Sequence, residues 1–248
     1  MSRSFNGTTD YLSYAGAVDS AHPMSFALWF NKPSTTFSTV FSISNTNVSN
    51  PNRNSIILSN TPNVRAFSAN SGGTTTATAI STANYSTNTW HHACAVFSSN
   101  SSRTIYLDGG NSATNTTTVG VNTGSFVATT IGGFSNSTGL GQPCDGLIAE
   151  VAVWNGNLTS DDAASLASGI SPTLVRPDIL VAYWPLFGEF SPEIDIVRGQ
   201  DATVNGTTAA SHPRILRPRM PGIYLTSTAA GPAIPVFYHH RQQQGMAA

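Results

Sequence analysis

The stretch Trp90-His-His-Ala-Cys-Ala-Val-Phe97, followed by Thr104-Ile-Tyr-Leu-Asp-Gly109, decides the fold. Both runs are apolar and of strand length, too short for an amphipathic helix. The Asp108-Gly109 pair tolerates the positive φ angles of a type I′ turn, which joins neighbouring antiparallel strands tightly. Residues 90 to 120 therefore read as paired strands around that turn.

Comparable stretches recur roughly every ten residues between positions 1 and 160, separated by Asn, Gly, Ser and Pro clusters, which is the spacing of an antiparallel sandwich. Thr39-Val-Phe-Ser-Ile43, Ser55-Ile-Ile-Leu58, Val64-Arg-Ala-Phe67, Thr129-Thr-Ile131 and Leu147 to Trp154 are further strands. Met24-Ser-Phe-Ala-Leu-Trp-Phe30 puts Met24, Phe26, Leu28 and Phe30 on one face and Ala27 and Trp29 on the other. That pattern predicts a central strand covered on both sides. Leu180-Val-Ala-Tyr-Trp-Pro-Leu186 reads as one more buried strand, which Pro185 confines to an edge or to its own end.

One short helix is predicted. Thr159 or Ser160 caps it, Asp161 and Asp162 suit its positive end, Ala163, Ala164, Leu166 and Ala167 form it, and Gly169 stops it. It is expected to close one end of the sandwich. From Ala202 onward there is no Asp or Glu, but there are four arginines, three histidines and five prolines. The prolines of His212-Pro-Arg-Ile-Leu-Arg-Pro-Arg-Met-Pro-Gly222 remove amide donors and favour extended, polyproline-like backbone. Ala233-Ile-Pro-Val-Phe-Tyr-His-His-Arg241 then returns to apolar and aromatic side chains, as a docking peptide would. The predicted organisation is a sandwich over residues 1–206 and an extended arm over residues 207–248.

Charged residues are 9% of the chain, against roughly 25% in typical soluble domains, and Ser, Thr, Asn and Gly fill the polar positions. With a net charge of -1 the surface has little field to attract a polyanion, so nucleic acid is not an expected partner. Lys32 is the only lysine. No segment approaches the ~18 apolar residues of a membrane span, and Met-Ser-Arg-Ser-Phe5 lacks a signal-peptide core. Cys94 and Cys144 lack metal-ligand spacing and read as buried free thiols, with a single disulfide as the alternative. Asn-x-Ser/Thr sequons at Asn6, Asn47, Asn84, Asn100, Asn115, Asn136, Asn157 and Asn205 are expected to go unused.

These residues resemble the laminin-G-like jelly rolls of the concanavalin A-like superfamily. Ser4-Phe-Asn-Gly-Thr-Thr-Asp-Tyr11 is similar to the family's opening strand, and Phe26-Ala-Leu-Trp-Phe30 with Lys32-Pro33 to a second one. Trp90-His91-His92 followed by Tyr106-Leu-Asp108-Gly109 is similar to its core signature. Ile131-Gly-Gly133, Asp145-Gly146-Leu-Ile-Ala-Glu150-Val151 and Trp154-Asn155 resemble the closing strands, with Ala149 where the family usually has Asp. The resemblance implies an all-β, antiparallel two-sheet jelly-roll sandwich whose framework includes Trp90, His92, Asp108, Gly109, Asp145, Gly146 and Glu150. The block over 180–206 looks like an opening strand and turn moved behind the domain, a permuted closing strand.

Candidate chemistry is sparse. Glucanases of this superfamily carry E-x-D-x-x-E, and Glu193-Ile-Asp-Ile-Val-Arg198 supplies the first two carboxylates but places Arg198 at the third position, so the acid/base pair is missing. Adjacent strand residues such as His91 and His92 point to opposite faces and do not share a metal. Calcium stays open, with Asp108, Asp145 and Glu150 as candidate ligands, and no other cofactor is expected. No phosphate-cradling Gly loop or nucleophile elbow is present.

The expectation is a non-enzymatic structural and binding protein of a large assembly such as a virion, working as a capsid-decoration, head-fibre or tail protein of a phage or virus. Its arm would anchor it to neighbouring subunits of a homo-oligomer through Arg214, Arg217, Arg219, Tyr224, Phe237, Tyr238, His239, His240 and Arg241. The alternative is a lectin-like module, outside the cell or at its surface by a non-classical route, that binds glycans through loop Trp or Tyr residues. A glycoside hydrolase using Glu193 is the third reading.

Overall fold

The computed structural model describes residues 1–216. In chain order the elements begin with β1 (Ser2–Asn6), β2 (Tyr11–Tyr14), β3 (Met24–Asn31), β4 (Ser38–Ser44), β5 (Arg53–Leu58), β6 (Val64–Ala69) and β7 (Thr76–Ile80). Next come β8 (His91–Ser99), β9 (Ser102–Leu107), β10 (Gly110–Asn115), β11 (Ala128–Ile131), β12 (Phe134–Asn136), β13 (Gly139–Gly141) and β14 (Asp145–Trp154). The helix α1 (Ser160–Ala167) precedes β15 (Leu180–Trp184), β16 (Thr203–Asn205) and β17 (Thr208–Ala210).

These strands form two antiparallel sheets packed as a jelly-roll sandwich. The first runs β10-β9-β8-β3-β14-β1-β17, with β15 also paired to β14. The second runs β16-β2-β11-β4-β5-β6-β7, and β12 and β13 make a separate hairpin. Asp108 and Gly109 take φ of 53° and 75° between β9 and β10, as the two-residue turn requires. The inner faces meet in one core where Phe26 of β3 lies edge-on to Phe41 of β4, with ring centroids 4.8 Å apart.

The outer face of β3, β8 and β14 is apolar as well, and this settles the helix. Ala27, Cys94, Ala152 and Trp154 pack with Ala163 and Leu166 of α1 in a second buried layer. The helix therefore covers the outside of the first sheet and does not close an end of the sandwich, correcting the expectation above. Its only apolar stripe needs an apolar partner, and the sheet offers one there. Thr159 and Asp162 cap it reciprocally: Thr159 Oγ1 accepts from the Asp162 amide at 3.2 Å, and Asp162 Oδ2 accepts from the Thr159 amide at 2.9 Å. Gly109 lies against the helix so closely that a Cβ there would stand 2.7 Å from Ala164 Cα.

The C-terminal part of the described chain closes both sheets. β15 pairs with β14, β16 with β2 and β17 with β1. Leu216 then bridges to Ile170 beyond the helix. The segment 207–216, read from sequence as the start of the arm, is tied to the sandwich at two places, through the pairing of Thr208–Ala210 with β1 and the bridge of Leu216 to Ile170. The compact unit runs from Met1 to Leu216. Residues 217–248, which hold the rest of the expected arm, lie outside the described residues.

Candidate functional site

At one end of the first sheet, an open cleft of about 490 Å³ forms where three strands meet. β1 lines it with Ser4, Phe5 and Asn6, and β14 with Asp145, Gly146 and Leu147. Asn31 at the end of β3, Pro33 just beyond it and Asn88 from the turn before β8 complete the wall. Backbone conformation creates the opening. Gly146 has φ +118°, and a Cβ on it would lie 2.4 Å from the Asn31 carbonyl oxygen, so only glycine lets β14 approach β3 here. Asn88 takes φ 58°, a left-handed conformation that asparagine tolerates, and its backbone N–H donates to the Lys32 carbonyl at 2.7 Å.

One carboxylate dominates the charge of the cleft. Asp145 accepts from Ser34 Oγ and Thr36 Oγ1, each at 2.6 Å, and from Lys32 Nζ. Burial alone would raise its pKa, but hydrogen bonds from Lys32, Ser34 and Thr36 and the ammonium charge outweigh that and hold it below the usual carboxylate range. The Lys32 side chain is fully buried, and its other donors go to Thr36 Oγ1 and Ser38 Oγ. Asp145 remains partly open to solvent. Asn6 Oδ1 is spent on the amides of Thr8, Thr9 and Asp10, whereas the amides of Asn31 and Asn88 make no side-chain hydrogen bond among the described residues.

The turn that carries Asn88 is held by a polar bracket. His91 Nε2 accepts from the Ser86 amide at 3.0 Å, and His91 Nδ1 lies 2.7 Å from Asp108 Oδ2. Asp108 Oδ1 also accepts from the His92 amide at 2.8 Å. Burial would raise the Asp108 carboxyl, yet these hydrogen bonds and the nearby imidazoles bring it below its ordinary value. The His92 ring is buried on the other face and meets Trp29 edge-on at 5.4 Å, while Trp90 is half-buried.

The remaining sequence-predicted positions fall elsewhere. Glu150 lies in an irregularity of the β14 and β3 pairing with φ 56°, is buried, and accepts from the Tyr183 hydroxyl. His212 Nε2 stands 3.0 Å from Glu150 Oε1. Asp108, Asp145 and Glu150 are thus engaged by three different sets of side chains and do not converge on a cation. No group of three or more His, Cys, Asp or Glu suited to a metal occurs among the described residues. Cys94 and Cys144 are both free and buried.

Glu193 is 1% exposed and accepts from Arg3 Nε and the Gly188 amide, both at 2.7 Å. Asp195 is 2% exposed and accepts from the amides of Tyr183, Val197, Arg198 and Gln200. Both carboxylates organise the loop after β15 and are closed to a sugar, which removes the basis for a Glu193 hydrolase.

Every tryptophan and tyrosine among the described residues is buried or half-buried, and none lines the cleft, so the stacking platform expected of a lectin is not found there. Arg214 is exposed; the other expected assembly contacts, Arg217, Arg219, Tyr224, Phe237, Tyr238, His239, His240 and Arg241, lie outside the described residues. Sequence reasoning missed Asn6, Asn31 and Asn88. Only Asn88 carried a usable signal, as an Asn in a Ser/Thr-rich turn that accepts left-handed backbone.

Known proteins share this fold. No curated protein matches the chain. A candidate carbohydrate-binding protein from Bacteroides ovatus superposes with a TM-score of 0.62 at 17% identity, over 87% of this chain and 62% of that one. The CBM40 module of a Ruminococcus gnavus IT-sialidase, bound to α2,3-sialyllactose, gives 0.55 at 13% identity, over 67% and 98%. A heptameric SAP-like pentraxin from Limulus polyphemus gives 0.53 at 16% identity, over 67% and 81%. At these identities the likeness is one of fold. A laminin-G model described as "Concanavalin A-like lectin/glucanases superfamily" matches residues 6–164, well over half of the chain, and the protein belongs to that family.

Proposed function

We propose that the protein is a non-enzymatic glycan-binding module whose binding surface is the cleft between β1, β3 and β14. The observation that carries this reading is the pair of uncommitted side-chain amides, Asn31 and Asn88, lining one cleft with a partly open Asp145 carboxylate already held in place. Amides offer both donors and acceptors, the carboxylate accepts from hydroxyls, and Pro33 and Leu147 present aliphatic surface to a sugar ring. Two fold relatives described as carbohydrate-binding support the same class. The reading of a virion protein anchored by its arm rests mainly on residues beyond Leu216; of its expected contacts only Arg214, which is exposed, lies among the described residues.

A glycan array followed by titration calorimetry tests the proposal. Asn88→Gly keeps the left-handed backbone and removes the amide, so it should abolish binding while leaving the melting temperature close to wild type. Unchanged affinity in that variant would remove the cleft as the site.

A further inference from the structure

We infer that the cleft selects neutral sugars and rejects carboxylate-bearing ones, an inference that rests on the glycan-binding reading above. The selection follows from which charges can reach a ligand. Among the described residues, Asp145 is the only formally charged side chain lining the cleft. Its carboxyl lies below its ordinary range, so it is anionic at neutral pH. The cation that neutralises it stands behind it: Lys32 is 0% exposed at its side chain and its donors are committed to Thr36, Ser38 and Asp145.

No arginine is among the described residues that line the cleft. Arg3 is buried with Glu193, and Arg103 is buried with Ser68, Asn115, Thr117 and Asn100 as acceptors. Arg53 is buried over Phe67 and Phe134, at 4.8 and 4.2 Å from the ring centroids. A ligand carboxylate would therefore meet Asn31 and Asn88 as its donors, a like charge at Asp145, and no cation. A hydroxyl in the same place donates to Asp145 and accepts from the amides. Like charges a few ångströms apart at a protein surface weaken binding by on the order of tenfold or more.

Binding is measured for matched pairs on an array, lactose with α2,3-sialyllactose and neutral disaccharides with their uronate counterparts, and the bound pairs are then titrated. The neutral member of each bound pair should bind at least about tenfold more tightly than the acidic one. Raising the salt concentration on the wild-type protein should narrow that gap by screening. Asp145→Asn, checked for folding by its melting curve, should narrow it too. An acidic member that binds as tightly as its neutral partner, and is lost in Asn88→Gly, overturns the inference while sparing the site. If no glycan binds at all, the parent reading falls and this one with it.

Discussion

Arg3 and Glu193 form a buried ion pair across almost the whole described chain, with Arg3 Nε 2.7 Å from Glu193 Oε1. Arg3 Nη1 reaches the Thr207 carbonyl at 3.2 Å, and Nη2 donates to the Phe190 carbonyl. One guanidinium on the opening strand thereby ties down both the loop after β15 and the entry to β17. Arginine suits this position because its fork serves several planar acceptors at once.

Removing one partner leaves the other charged and buried. Glu193→Gln should therefore destabilise the fold by about 3–5 kcal/mol, read as a lower urea midpoint with an unchanged slope. An isosteric apolar double replacement of Arg3 and Glu193 should lose much less. Equal losses in the two proteins would mean that packing, not charge, is what the pair supplies.

Stability should fall on mild acidification through His92. Its pKa is pushed down from 6.5 to about 4 by burial, which the Asp108 charge opposes only in part. Between those values the unfolded chain binds a proton that the folded one does not, so unfolding free energy rises with pH and is lost as pH falls. The contribution is roughly 3 kcal/mol and is fully present above the unfolded value. Asp108 and Asp145, both below their ordinary range, extend the loss below pH 3.8. His92→Gln should flatten the pH 4 to 6.5 limb in calorimetric melting; an unaltered limb would assign it to other groups.

Gly146→Ala should disturb stability and binding together. Its φ of +118° strains any L side chain, and its Cβ would press on the Asn31 carbonyl oxygen, whose strand forms the facing wall. A loss of about 1–3 kcal/mol in chemical denaturation is expected, with weaker glycan binding in the folded fraction. Normal affinity in a destabilised variant would show that the cleft tolerates a shift between β3 and β14.

Both thiols should resist alkylation in the native protein. Burial pushes Cys94 and Cys144 up to about 12, so neither supplies the thiolate that reacts. An iodoacetamide time course should show labelling of the two cysteines only after denaturation. Fast modification of either in the native state would contradict its burial.

Most of the strands were legible because their signals are local. β3 and β8 carry apolar runs, the Asp108-Gly109 turn needs only two residues with positive φ, and the helix cap needs Thr159 and Asp162 three positions apart. The strands that escaped reading, such as Thr76–Ile80 and Thr208–Ala210, are short and built mainly of Thr and Ala, which carry little apolar signal. Their pairing partners define them, and β17 exists as a strand because β1 offers it an edge.

The sequence by itself determined the sandwich, the hairpin turn and the family, since periodicity, capping and turn chemistry act between near neighbours. Tertiary structure alone decided that α1 lies on the outer sheet face, that Glu193 serves Arg3, and that Asn31, Asn88 and Asp145 share one cleft. The physical reason is that these positions come from segments far apart in the chain. Single polar side chains carry no periodic pattern, so their meeting is set by strand order and register.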